Sequence, residues 1–63
     1  MSLSVEQFLS LPDAEQLQTI KDLNDIGQEE LIIETLTGVG IENLPVPLLG
    51  ELGRAYNNND KPE

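Results

Sequence analysis

Apolar residues recur along this chain in short helical patterns broken by proline and glycine, and each pattern predicts one helix. Val5, Phe8 and Leu9 share one face at helical spacing. They follow Ser4-Val5-Glu6-Gln7, which has the form of a capping box: the serine oxygen takes the amide hydrogen three residues on, and the glutamine reaches back. A helix is predicted over Ser4–Leu9, ending at Ser10-Leu11-Pro12 because the residue before a proline avoids helical angles. From Asp13 to Ile26 the apolar positions Ala14, Leu17, Ile20 and Leu23 recur every third residue, predicting a core-facing helix with Glu15, Gln18, Thr19, Asp22 and Asp25 opposite. Gly27 stands where a left-handed residue would close it.

Gln28–Thr37 predicts a third helix, with Glu29 and Glu30 in the first turn, where the helix dipole favours carboxylates. Leu31, Ile32, Ile33 and Leu36 make this segment apolar over much of its circumference. The two adjacent isoleucines would also suit a strand, but one strand without a partner leaves its backbone groups unpaired. Gly38-Val39-Gly40 is expected to end the helix. Ile41–Pro47, with prolines on either side of Val46, reads as an extended connector with room for a helical turn at Ile41–Leu44. Pro47 suits the first turn of a last helix, Pro47–Tyr56, where its missing N–H is not needed. Leu48, Leu49, Leu52, Ala55 and Tyr56 then share a face about 120° wide, with Glu51 and Arg54 opposite. Gly50 and Gly53 weaken that helix by about 1 kcal/mol each relative to alanine, so it must depend on docking.

These elements predict an all-α fold: a compact bundle of three to four short helices in a single small domain over residues 1–56, followed by a polar C-terminal tail over 57–63. A chain of 63 residues has one core at most, and a small one. Eleven Leu, five Ile, three Val and two Ala supply it, with Phe8 and Tyr56 the only aromatic residues. Cysteine and histidine are both absent, so neither a disulfide nor the usual tetrahedral zinc site reinforces the fold. Homo-oligomer formation is one way to make up the difference.

Charge changes the picture more than size does. Three basic residues face twelve acidic ones, a formal net charge of −9, and the resulting field repels phosphate backbones and anionic lipid. Direct binding to nucleic acid or membrane is therefore not expected. No apolar run approaches the roughly 18 residues of a membrane span, and the N-terminal stretch has no basic region before an apolar one, so a cytoplasmic location is expected.

The candidate chemistry is thin. Without histidine or cysteine the common general base and the thiol nucleophile are missing, so catalysis is not expected, and no motif asks for a cofactor. Asp22-Leu23-Asn24-Asp25-Ile26-Gly27 superficially resembles the start of a calcium loop, but the fifth position is Ile26 and the twelfth is Ile33, where oxygen ligands are required. Gly38-Val39-Gly40 lacks the lysine of a phosphate cradle. Pro45-Val46-Pro47 reads as a connector and not as a ligand for proline-recognition domains.

The expected function is that of a small, acidic, non-enzymatic protein–protein interaction module: an adaptor, an assembly subunit or an inhibitor of a larger partner with a basic or partly apolar surface. Its candidate apolar contacts are Phe8, Leu48, Leu52 and Tyr56, each of which the core also claims. Its candidate acidic contacts are Glu15, Asp22, Asp25, Glu29, Glu30 and Glu34, which would equally serve solubility alone. Two alternatives follow from the same features. Carboxylates at phosphate-like spacing would make a nucleic-acid mimic that blocks a DNA- or RNA-binding protein, and self-association would make a structural subunit of a homo-oligomer or virus-like assembly.

Overall fold

Ser4 opens the first helix as its sequence requires. In a computed structural model that describes residues 4–59, α1 spans Val5–Leu9. The Ser4 hydroxyl oxygen accepts the Gln7 amide hydrogen at 3.1 Å, and the Ser4 N–H donates to Gln7 Oε1 at 3.2 Å. The second helix, α2, spans Asp13–Asp25 and ends in a Schellman motif. Gly27 adopts φ 79, its N–H donates to the Asn24 carbonyl at 3.2 Å, and the Gln28 N–H donates to the Leu23 carbonyl at 2.9 Å. The chain thus reverses within a few residues and starts α3, Glu29–Val39.

α3 runs two residues past the predicted Thr37, through Gly38. A Cβ on Gly38 would come within 2.7 Å of Val5 Cγ2, so glycine there lets α1 lie against α3. The stop falls at Gly40, whose φ of 102 an ordinary side chain rarely adopts. A 3₁₀ turn over Ile41–Asn43 follows, in the place the connector left for a helical turn. The last helix, α4, spans Val46–Asn59. It begins one residue before Pro47, with the Leu48 and Leu49 amides both donating to the Pro45 carbonyl at 3.0 Å. It also continues through Asn57, Asn58 and Asn59, residues whose polarity predicts a tail. Extending a helix already formed adds a backbone hydrogen bond for each residue fixed without a new nucleation cost, so weak helix formers can ride on its end. The remainder of that tail, residues 60–63, lies outside the described residues.

The fold is all-α, with no strand among the described residues. α4 packs across both α2 and α3, which pack on each other, and α1 packs on α3. Phe8, Ile20, Ile32, Leu36, Leu44, Leu48, Leu52 and Ala55 fill the shared core. Leu11, Leu17, Leu23, Ile33 and Val39 close its margins. No helix among the described residues is long and apolar enough to cross a membrane.

α2 meets the core differently from its apolar pattern. Positions three apart on a helix step back by about 60°, so a row from Ala14 to Leu23 winds halfway around the cylinder. It cannot face one way. The buried line is instead Gln16, Ile20 and Asn24, four apart, with Leu17 and Leu23 beside it, while Ala14 is exposed.

Candidate functional site

Three polar side chains lie inside, and two of them join elements. Gln16 Nε2 donates to the Leu11 carbonyl at 3.0 Å, tying α2 to the turn before it. Asn24 Nδ2 donates to both the Glu51 carbonyl at 3.2 Å and Glu51 Oε1 at 2.9 Å, linking the end of α2 to the middle of α4. Arg54, one turn further along α4, pairs with Asp25 Oδ1 at 3.2 Å and with Glu51 Oε1 at 3.7 Å. Among the described residues, Asn24 Oδ1 and the Thr35 hydroxyl find no hydrogen-bond partner.

Among the described residues, two shallow grooves stand out on the surface. One, about 280 Å³, lies where the N-terminal ends of α2 and α4 meet: Ala14, Leu17, Pro45, Pro47 and Leu48 form its apolar walls, and Asp13 supplies a carboxylate. The other, about 220 Å³, lies at the α2–α3 reversal and is lined by Leu23, Ile26, Gln28 and Leu31. The first is the more apolar of the two and joins elements distant in sequence.

The candidate apolar contacts separate. Phe8, Leu48 and Leu52 are 0%, 2% and 4% exposed, and as core residues they are not offered to a partner as a stripe; only an edge of Leu48 reaches the first groove. The physical reason is scarcity, because a chain with so few large side chains needs these three inside. Tyr56 remains exposed at the edge of α4's buried face. Of the acidic candidates, Glu15, Asp22, Asp25, Glu30 and Glu34 are exposed and Glu29 is half-buried. Asp25 is engaged by Arg54, and Asp22 Oδ1 accepts a hydrogen bond from Gln18 Nε2 at 2.8 Å. α2 and α3 therefore carry the negative surface, while α4 contributes only Glu51 and Arg54, which face each other.

Sequence reasoning did not single out Asp13, Ala14, Leu17, Pro45 or Pro47 as neighbours. Their juxtaposition depends on how α4 docks, and the only available signal was a proline-bounded connector leading into an amphipathic helix. Fold and surface together define the chain as a small all-α bundle with an acidic flank and a shallow apolar groove between α2 and α4. Comparison with protein-family models, curated proteins and solved structures finds no match.

Proposed function

We propose that the protein is a non-enzymatic interaction module that docks on a protein partner presenting an apolar side chain next to basic residues. One observation carries this reading: the groove between α2 and α4 is walled by Ala14, Leu17, Pro45, Pro47 and Leu48 and bordered by Asp13, on a chain of net charge −9. Apolar walls hold an anchor, and a carboxylate at the edge with a negative field around it draws a cation into register. The walls come from two helix ends fixed by the core, so the groove is formed before any partner arrives.

The test compares the tagged protein with Ala14→Arg in a nuclease-treated lysate of the native host, washed at low and then high salt. Ala14 is exposed, so the arginine leaves the core intact while filling the groove and opposing a basic partner. The expected result is a protein held by the parent chain through both washes and lost from Ala14→Arg. Equal capture by both forms, or complete release from the parent at high salt, overturns the groove reading. The second result, with a nucleic-acid-binding protein released, would move the mimic alternative forward.

A further inference from the structure

The reversal between α2 and α3 lacks one of its usual parts. A helix that ends in a Schellman motif commonly covers an apolar residue of its last turn with a second apolar residue just past the glycine. Here those two positions are Leu23 and Gln28. The Gln28 N–H donates to the Leu23 carbonyl at 2.9 Å, but the side chain that follows Gly27 is polar and exposed, so Leu23 goes without that cover. What is left is the groove of about 220 Å³ lined by Leu23, Ile26, Gln28 and Leu31. Ile26 is 69% exposed and takes no part in the core, while Leu23 and Leu31 are half-buried.

The borders of this groove are acidic. Asp22 stands one turn before Ile26 on α2; on α3, Glu34 stands one turn after Leu31, and Glu30 one turn before Glu34. All three are exposed, and among the described residues none of them pairs with a cation. The basic side chains among those residues lie elsewhere. Lys21 is two positions from Leu23 and so on the opposite side of α2, and Arg54 is held by Asp25 and Glu51.

We propose that this groove receives a basic amphipathic helix of another protein. One large apolar side chain of that helix lies over Leu23, Ile26 and Leu31, supplying the cover that Gln28 does not, and Lys or Arg residues one turn to either side reach Asp22 and the Glu30–Glu34 pair. Charge selects this occupant. A second copy of the chain would set carboxylates against carboxylates, and nucleic acid or anionic lipid would meet the same repulsion. An uncharged apolar segment would fill the groove but gain nothing from its borders. The site shares no residue with the groove between α2 and α4, and it goes beyond the reading given for that groove.

The deciding experiment titrates the isotope-labelled whole chain with an alanine-rich peptide of about 18 residues, long enough to be helical, that carries one leucine with lysines one turn to either side. Methyl and amide NMR spectra locate the contact. The resonances of Leu23, Ile26, Gln28 and Leu31 should move most, and the titration should approach saturation by about 1 mM peptide. Replacing the peptide's leucine by serine, with every lysine kept, should weaken binding at least about fivefold through lost apolar burial. Ile26→Ser should do the same without altering the charge, and circular dichroism verifies that this variant folds. Asp22→Asn with Glu34→Gln should weaken binding at least about threefold and reduce its salt dependence. No movement up to about 1 mM overturns the proposal, as does a serine peptide that binds as tightly as the leucine peptide, or a folded Ile26→Ser that binds as well as the parent. Largest shifts at Ala14 and Leu17 would also overturn it, assigning the peptide to the other groove, whose own test with Ala14→Arg stands apart from all these results.

Discussion

Three buried polar residues, Gln16, Asn24 and Thr35, are held on different terms. Gln16 and Asn24 donate hydrogen bonds that link elements, whereas the Thr35 hydroxyl is enclosed without a partner among the described residues. An unpaired hydroxyl in an apolar interior costs on the order of 1 to 3 kcal/mol, and valine has nearly the same shape without that penalty. Thr35→Val is therefore expected to stabilise the protein by about 1 kcal/mol, which for a domain of this size raises Tm by roughly 4 to 8 °C. A thermal melt that is unchanged or lower would show that the hydroxyl is satisfied. None of these three residues was legible as core in the sequence, because hydrophobic periodicity registers only apolar positions. The burial of Asn24 depends on Glu51, which lies 27 positions away.

Among the elements, those with local causes were the legible ones. The Ser4–Gln7 capping box and the left-handed stop at Gly27 involve residues within a few positions of one another, and both form. The far end of α4 was not readable, since Asn57–Asn59 carry neither an apolar period nor a stop residue, yet they continue the helix. The candidate site divides in the same way. Acidic residues on α2 and α3 could be placed at the surface from charge alone, but which leucines of α4 would be hidden depended on the direction from which α2 and α3 cover it. Leu48 and Leu52 went inside, while Leu49 and Tyr56 kept an open edge. Gly50 and Gly53 give the element its own test. With free space over both, Gly50→Ala with Gly53→Ala should stabilise the protein by about 1 to 2 kcal/mol through helix propensity. Urea unfolding checks this, and a loss of stability would mean that the glycines serve the packing of α4.

At the scale of the whole molecule, a charge of −9 on a 63-residue chain makes the folded state repel itself. Arg54 relieves this locally at Asp25 and Glu51, but most carboxylates among the described residues stay uncompensated. Tm should accordingly rise as sodium chloride increases from about 10 mM to about 500 mM, because screening weakens net repulsion over distances longer than the Debye length. A Tm that falls over this range would mean that the Arg54 pairs outweigh the net repulsion. Asn24 acts on the same scale. Its amide meets the Glu51 backbone and side chain at a single register of α4 against α2, so sliding α4 along its groove would strand a buried donor with nothing to receive it. Leucines tolerate such slippage, since one methyl packs nearly as well as another. The amide does not, and it thereby works as a key among interchangeable pins, closing off misdocked arrangements that an aliphatic core of this size would otherwise accept.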